Sequence, residues 1–563
     1  MGLHARATFV GHHKSVTPQR PLKMRLGAGL CAALMSATLA GPAAWPVAHA
    51  QSSLPALGDS VSEDLPVAAE RKLGDQIMRE IRRDPDYSDD PLLLEYLESV
   101  WQPLVAQARR AGNIGADTDE RFAWEAFLVR DRSVNAFALP GGYVGVHLGL
   151  LAIAATRDEL ASVLAHEMSH VTQRHIARSI SASKRASLIS VASMIVGVLV
   201  ASRAGRSGAD AANAALAGGQ ALAMQGQLNF SRDMEREADR VGIAVMESAG
   251  FAPDGMAAMF EKLDQTSRLN DSGGFPYLRS HPLTSERIGE ARSRLGAGRL
   301  PGLRAANPLN PLEHAIAQAR ARVLMDPRVD GLRRSQSRGG GAEPGGSLPV
   351  EQVAAAYESA LASTLLRDWP RADASLQAAG ALLREASPKE PRAERALALL
   401  AAQSQLERGA PARGVALLAP YAGERSRPVL LLSAQAALAQ SDAAALRRSA
   451  DDLQTWVTLR SSDAQAWSVL SQAWGKLDQP LRAIRADAEA SLALGDLQGA
   501  TDRLRAGQRR ARGGVGNGSG NGPGSAAATP VDFIDLSVID ARLRDIEALR
   551  KQLMAETRES KPF

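Results

Sequence analysis

The sequence contains a single cysteine, Cys31, which lies inside an apolar run near the N-terminus. A chain that loses this run has no thiol. Disulfide bonds, a cysteine nucleophile and a thiolate metal site are therefore excluded from the rest of the protein. Any metal must be bound through histidine, aspartate or glutamate side chains.

Acidic residues are absent from the first 50 positions, which carry five basic residues: Arg6, Lys14, Arg20, Lys23 and Arg25. The 66 lysines and arginines of the chain exceed its 61 acidic residues by these five alone. A chain that is otherwise neutral has no global field to attract a polyanion. The basic charge belongs to a targeting segment, and nucleic acid is not expected as a partner.

No apolar run is long enough to span a bilayer comfortably. Residues 26–40 follow Lys23 and Arg25, and Ala48-His49-Ala50 is a small-x-small cleavage site before Gln51. This pattern predicts a secretory signal peptide over residues 1–50, cleaved near Ala50, with translation starting at either Met1 or Met24. A second run, residues 188–201, would span only about 21 Å as a helix. It predicts a buried helix; the alternatives are a mobile lid and a hairpin that touches the membrane.

Two glycine-rich tracts, 333–349 and 513–530, have few apolar residues and are predicted to be linkers. They divide the exported chain into a domain over 51–332, a second domain over 350–512 and a helical tail over 531–563. Since the first tract separates the two domains, deleting residues 350–563 is expected to leave a folded N-terminal domain.

The first domain has the pattern of a mostly helical α+β fold. Helical spacing over 64–110 is followed by strand patterns and by a turn at Pro140-Gly141-Gly142: Phe122–Val129, Val134–Leu139 and Tyr143–Leu148. The last two strands predict a hairpin. Thr156 and Glu159 then form a capping-box pattern, which predicts a helix that continues to about Ser179.

The region 350–512 is rich in alanine and has helical spacing throughout. Trp467, Leu470, Trp474 and Ala483 follow the spacing of a tetratricopeptide unit. A generic helical bundle remains an alternative, but a tetratricopeptide-like solenoid is preferred. Solenoids present concave surfaces to other polypeptides.

Two histidines lie in the sequence His166-Glu167-Met168-Ser169-His170, inside the predicted helix. Spacing of i and i+4 puts both imidazoles on one helical face, as two ligands of a tetrahedral zinc require. Glu167 lies about 100° round, where a general base can reach a metal-bound water. His175 should point away from His166, as a solvated or structural histidine.

A second acidic helix begins near Ser231. Glu235 and Asp239 share one face at i and i+4, whereas Glu237 points elsewhere. Glu235 could complete a His₂Glu zinc site, with Asp239 accepting a hydrogen bond from a ligand histidine. From these residues alone, Glu235 as a ligand and Glu235 as a surface acid are about equally supported.

The combined motifs resemble a known family. HExxH, followed some 65 residues later by Ser-Arg-x-x-Glu-x-Glu-Ala-Asp and then by His281-Pro282 and Arg287-Ile288, is similar to the zinc metalloproteases that include HtpX and the CaaX prenyl protease. The signal peptide and the repeat region are similar to the periplasmic members that enhance β-barrel assembly. The resemblance implies a zincin-like protease domain with one Zn²⁺ per chain.

The resemblance also implies roles for individual residues. His166, His170 and Glu235 would be metal ligands, Glu167 the general base and Asp239 an assisting catalytic residue. His281 would fill the fourth metal position as a latch; the alternative is an ordinary loop histidine. A peptide substrate would add as a strand to the edge hairpin, for which the candidate residues are Asn135, Ala136, Phe137, Gly141 and Gly142.

The function that we expect is a periplasmic zinc endopeptidase that degrades misfolded or stalled outer-membrane proteins and assists their assembly as a chaperone. Its repeats would contact the β-barrel assembly machinery. The alternative is a repeat-based chaperone or scaffold in which the zinc site is latched or structural. A broad-specificity secreted protease is less favoured, because it needs no partner platform.

Overall fold

The computed structural model describes residues 65–182, 231–269, 275–294, 311–338, 349–440, 442–516 and 530–559. These residues form a mostly helical structure with one small sheet, as predicted. Within these ranges, no helix combines the length and the apolar character needed to cross a membrane. The predicted signal peptide and the apolar run at 188–201 lie outside the described residues.

The N-terminal half packs its helices around the sheet. Buried apolar side chains of α2, α5, α7 and α8 share one core with the strands. The elements are α1 Val67–Arg82, β1 Tyr87–Ser88, α2 Pro91–Arg110, α3 Ala116–Arg121, β2 Glu125–Val129, β3 Ala136–Leu139, β4 Tyr143–His147, α4 Leu148–Ile153, α5 Arg157–Thr172, α6 His175–Ala182, α7 Arg232–Ser248, α8 Asp254–Leu269, α9 Pro276–Ser280 and α10 Ser285–Arg294.

The sheet has the order β1-β2-β4-β3. β3 and β4 are antiparallel, which confirms the predicted hairpin, and β2 pairs with β4 in parallel. Gly141 and Gly142 make the turn with φ of 78° and 89°, a region that favours glycine. The first predicted strand begins at Glu125 rather than Phe122, because Trp124 has a left-handed φ of 48°. β3 lies at an edge, next to α5.

The C-terminal half is helical wherever it is described, and neighbouring helices pack on one another. Its helices are α11 Pro311–Leu324, α12 Val329–Arg338, α13 Pro349–Leu365, α14 Trp369–Glu385, α15 Pro391–Glu407, α16 Pro411–Leu418, α17 Arg427–Gln440, α18 Ala443–Leu459, α19 Ala464–Lys476, α20 Pro480–Ala493, α21 Leu497–Gly516 and α22 Pro530–Glu559, with a short 3₁₀ turn at Ala419–Tyr421.

The predicted linker over 333–349 is wrong at its N-terminal end. α12 continues to Arg338, and α13 begins at Pro349. This polar segment forms an amphipathic helix: Leu332 and Ser335 are buried, and Arg333 and Arg334 between them are exposed. The second predicted linker, 513–530, likewise begins inside a helix, since α21 continues to Gly516.

α11 joins the two halves of the chain. Its residues Leu312 and Ile316 are buried in one apolar cluster with residues of α13, α14 and α15. The Glu390 carboxylate accepts hydrogen bonds from the backbone N–H groups of Leu312 (3.1 Å) and Glu313 (2.9 Å), so a residue at the start of α15 caps α11. On its other side, His314 donates from Nε2 to the Ala154 carbonyl at 2.8 Å. A boundary after residue 332 therefore cuts through a shared core.

Two adjacent aspartates add further contacts between the two halves of the chain. Asp90 caps α2 by accepting from the Leu93 N–H at 3.0 Å, and both its oxygens lie 2.7 Å from the Arg320 guanidinium of α11. Asp89 lies 2.7 Å from Arg427 of α17. The short link between β1 and α2 thus binds two different helices of the C-terminal half.

Candidate metal centre

α5 carries the HExxH sequence through the protein interior. Thr156 caps it as predicted, accepting from the Glu159 N–H at 3.1 Å. The Glu159 carboxylate completes the cap one residue earlier than in a capping box, by accepting from the Ala155 N–H at 2.6 Å. His166, Glu167 and the residues around them are buried, so this part of the helix is packed on all sides.

Four side chains converge on one point: His166, His170, Glu235 and His281. One nitrogen or oxygen of each lies within 4.8 Å of those of the others, and all four residues are buried. They come from α5, from α7 and from the residue that follows α9. Two predicted site residues, Glu167 and Asp239, contact this group without belonging to it.

The separations fit a tetrahedral metal. Two ligand atoms, each about 2.05 Å from a tetrahedral zinc, lie about 3.3 Å apart. The Nε2 atoms of His166 and His170 are 3.0 Å apart, and they lie 3.4 and 3.5 Å from the oxygens of Glu235. His281 Nδ1 lies 3.3 Å from His166 Nε2 and 3.0 Å from Glu235 Oε1. The donor set and its spacing therefore fit a tetrahedral metal ion, for which His281 is the fourth candidate donor.

A glycine sets the distance between the two ligand helices. A Cβ on Gly242 of α7 would lie 3.2 Å from the backbone carbonyl carbon of Ala165 and from the backbone nitrogen of His166. That is shorter than an ordinary contact of 3.4–4 Å. α7 can therefore approach the HExxH helix this closely only because position 242 has no side chain.

Asp239 of α7 lies against His166 of α5. His166 Nδ1 lies 2.9 Å from Asp239 Oδ1, which leaves Nε2 directed at the metal position. Arg287 binds both Asp239 oxygens, at 2.7 and 2.8 Å, and reaches Glu235 Oε2 at 2.8 Å. Burial alone would raise the pKa of Asp239, but the bonds from Arg287 and His166 hold it below its ordinary value. The sequence motif contained Arg287 without assigning this role to it.

His175 is not directed away from the site, contrary to the prediction. α5 ends at Thr172, and Arg174 takes a left-handed φ of 51°, so the helical projection does not continue. His175 is 0% exposed, and its Nδ1 lies 2.8 Å from His170 Nδ1. Its Nε2 lies 3.1 Å from a Glu237 oxygen. Burial lowers the pKa of His175 to about 4, so the ring is neutral near pH 7.

Glu167 has the surroundings of a proton acceptor. Its side chain is 0% exposed, and neither carboxylate oxygen has a hydrogen-bond partner among the described residues. The Nε2 atom of His281 lies 3.4 Å from Oε1 of Glu167. A buried carboxylate without partners is costly, and it requires a functional or ligand-based explanation.

The predicted substrate-strand residues divide into two sets. Asn135, Ala136 and Phe137 lie on or next to the edge strand β3, and the side-chain oxygen of Asn135 is buried without a partner in the described part of the chain. Gly141 and Gly142 instead pack against Arg71 and Phe122, where an added Cβ would meet atoms within 3 Å. The structure assigns these glycines to the turn.

Tyr277 is a buried neighbour that the sequence motifs did not indicate. Its ring stacks on His281 with centroids 4.7 Å apart, and its backbone N–H donates to the Val134 carbonyl at 3.4 Å. α9 therefore connects His281 with the segment that leads into β3. His147 and His314, which have no predicted role, lie outside the metal group.

Comparison with known proteins agrees with this geometry. Residues 95–295 match the model of peptidase family M48. A protein from Vibrio cholerae serotype O1, whose name includes "beta-barrel assembly-enhancing protease", is 37% identical over 290 residues, covering 51% of this chain and 56% of its own. The beta-barrel assembly-enhancing protease of Escherichia coli K12 is 33% identical over 270 residues, covering 48% and 53%.

A more distant relative is the mitochondrial metalloendopeptidase OMA1 of Saccharomyces cerevisiae, which is 30% identical over 197 residues, covering 34% of this chain and 53% of its own. The chain thus spans about half the length of the curated relatives that it matches. The matched residues contain HExxH, Glu235 and His281. The region from residue 95 to residue 295, which carries the converging side chains, is therefore similar to peptidase family M48.

Proposed function

We propose that this chain is a zinc-dependent endopeptidase. One observation carries the proposal: three donor atoms from His166, His170 and Glu235 are spaced for zinc, and beside them lies the buried carboxylate of Glu167, which has no hydrogen-bond partner in the described part of the chain. A structural metal site does not need a base at this position. The M48 match over the same residues supports the proposal independently.

The residues around the site have different roles in peptide hydrolysis. A bound zinc ion would supply Lewis acidity, lowering the pKa of water and polarising the scissile carbonyl. Glu167 accepts the proton of the attacking water and delivers it to the leaving amine. Asp239, held by Arg287, lies 2.9 Å from Nδ1 of His166, and its negative charge favours the tautomer that carries the proton on Nδ1 and the lone pair on Nε2.

Peptide binding is proposed at the open edge of β3, the side on which no other strand of the described residues pairs with it. His147 N–H donates to the Asn135 carbonyl at 3.0 Å, so Asn135 directs its backbone toward β4. Because backbone direction alternates along an antiparallel strand, the N–H and C=O groups of Ala136 and Ala138 face the open edge. An extended peptide can pair with these groups, and Asn135 Oδ1 can accept one further N–H.

The test of this function is Glu167→Gln in the purified chain. The variant should retain one zinc per chain by metal analysis and lose cleavage of unfolded casein, because the ligands remain and the base does not. The matched control is Glu247→Gln, an exposed position on α7. A Glu167→Gln chain that cleaves at the wild-type rate would disprove the assignment of the base.

We propose that His281 is a latch. Its Nδ1 lies at ligand distances from His166 and Glu235, where it would exclude the water on which Glu167 acts. His281→Ala should then raise casein cleavage or self-cleavage with zinc retained. A purely structural histidine predicts unchanged or lower activity and a lower melting temperature. A lower kcat without more self-cleavage would instead assign His281 to the oxyanion.

The wider role that we propose is quality control of outer-membrane proteins in the periplasm. The names of the two bacterial relatives support it, as do the secretory pattern of residues 1–50 and the helical C-terminal half. We propose that α13 to α21 form a tetratricopeptide-like solenoid. In support, Trp467, Leu470 and Trp474 are buried in α19, which packs on α20. The substrates would be misassembled outer-membrane proteins, and the repeats would contact the β-barrel assembly machinery.

A chaperone activity is part of this proposal. A latched site leaves the helical half free to bind clients without cutting them, and the position of His281 favours that second function. Chaperone action should persist in Glu167→Gln, measured as suppression of aggregation of an unfolded outer-membrane protein. If the substitution abolished it, binding and cleavage would share one site.

A further inference from the structure

A histidine outside the ligand group contacts one of its members. His175 begins α6, immediately after the left-handed turn at Arg174. Its Nδ1 lies 2.8 Å from Nδ1 of His170, and its Nε2 lies 3.1 Å from Oε2 of Glu237. The same Glu237 oxygen accepts from Arg178 at 2.9 Å. Both ring nitrogens of a fully buried histidine are thus directed at specific partners.

These contacts fix the proton positions. His170 Nε2 is the atom that lies with the other metal donors, so it must carry a lone pair. The single ring proton of a neutral His170 is then on Nδ1, and it donates to Nδ1 of His175. His175 must therefore carry its own proton on Nε2, which donates to the Glu237 carboxylate. Each assignment requires the next.

We propose that His175 and Glu237 are positioning residues that hold the metal ligand His170 in its binding tautomer and orientation. The inference rests on the proposed metal site. It gives the second histidine of HExxH the support that Asp239 gives the first, but through an intervening imidazole. Three acids of α7 then serve one centre: Glu235 at the metal, Asp239 behind His166 and Glu237 behind His175.

The alternative is that Glu237 only forms an ion pair with Arg178. The Glu237 side chain is 29% exposed and that of Arg178 is 37% exposed, and such surface pairs contribute little to stability. An ion pair of this kind needs no buried histidine between its members and the metal ligand. It predicts that removing Glu237 changes stability slightly and leaves zinc affinity unchanged.

Three substitutions separate the two roles. His175→Leu removes the acceptor for His170. His175→Asn keeps an oxygen close to the position of Nδ1 but breaks the contact with Glu237. Glu237→Gln keeps the size of the side chain and removes its charge. Loss of such outer partners typically weakens metal binding about 10- to 100-fold.

The experiment measures the zinc dissociation constant of the purified chain by chelator competition, with the unfolding midpoint of the metal-free protein measured in parallel. His175→Leu and Glu237→Gln should each weaken zinc about 10- to 100-fold. His175→Asn should lie between His175→Leu and the wild type. Glu247→Gln, an exposed acid on the same helix, should equal the wild type.

The outcomes are distinguishable. Wild-type affinity in a folded His175→Leu chain, or a lower unfolding midpoint with unchanged affinity, would overturn the positioning role and leave the proposed metal site intact. If His175→Leu does not fold, Glu237→Gln decides, and unchanged affinity there overturns the role. A wild-type chain that binds no zinc would refute the proposed function together with this inference.

Discussion

The close approach at Gly242 gives the sharpest test of how the metal centre is assembled. Alanine at a mid-helix glycine normally stabilises a helix by about 0.5–1 kcal/mol, because it reduces the entropy of the unfolded chain. At Gly242 the new Cβ would meet the backbone of Ala165 and His166 at 3.2–3.3 Å. Backbone atoms cannot rotate away, so α5 and α7 must separate by a few tenths of an ångström.

That separation should cost more than the propensity gain. Overpacking in a dense interior typically costs about 1–3 kcal/mol, so the net loss of stability in Gly242→Ala is about 0–2.5 kcal/mol. Because His166 and His170 are on α5 and Glu235 is on α7, the same displacement lengthens the ligand separations. Metal geometry tolerates about 0.2 Å, so zinc affinity should fall roughly tenfold or more.

The matched control is Gly289→Ala in α10, where a Cβ has no atom within 4 Å. It should raise the free energy of unfolding by about 0.5–1 kcal/mol and leave zinc affinity unchanged. Both variants are compared by urea denaturation without metal and by chelator competition with metal. If Gly242→Ala matched Gly289→Ala in both measurements, glycine would not set the spacing of the ligand helices.

Three other predictions follow from the same contacts. Glu235→Gln should lose zinc in a dialysis assay while Glu261→Gln, on α8, retains it; equal retention would remove Glu235 from the ligand set. Asp90→Ala should cost about 3–5 kcal/mol in urea denaturation, because it leaves the buried charge of Arg320 without its carboxylate, whereas Asp117→Ala in an exposed pair should change little. Deleting residues 350–563 should destabilise the remaining N-terminal part and promote aggregation, because it uncovers Leu312 and Ile316 of α11. A truncated chain as resistant to urea as the whole chain would contradict the shared core.

Local signals predicted the parts of the site that are local in sequence. The Thr156 cap and the i, i+4 histidines placed His166 and His170 on one buried helix face, and the structure confirms that placement. The turn at Gly141-Gly142 likewise predicted the hairpin. Each of these features depends on residues within one helix or one turn, so periodicity and capping are sufficient to find them.

The remaining features depend on contacts between distant residues or on one backbone angle. Periodicity left the role of Glu235 open, because its approach to His166 depends on how α7 packs against α5. His175 was misplaced, since a single left-handed residue, Arg174, ends the helical projection. The linker at 333 was wrong because composition does not show that Leu332 and Ser335 face a core supplied by other helices.

The three acids of α7 make the site sensitive to the rotation of that helix about its axis. Glu235, Glu237 and Asp239 lie on the same helix, so they turn together when the helix rotates. If a one-residue insertion just before Glu235 rotated the rest of α7, all three side chains would turn about 100° away from their present partners. No single contact could then be kept by adjusting a side chain. The amount of zinc that the chain retains therefore shows whether α7 keeps its rotation about its own axis. Metal analysis alone can then detect the effect of an engineered change in the segment that precedes α7.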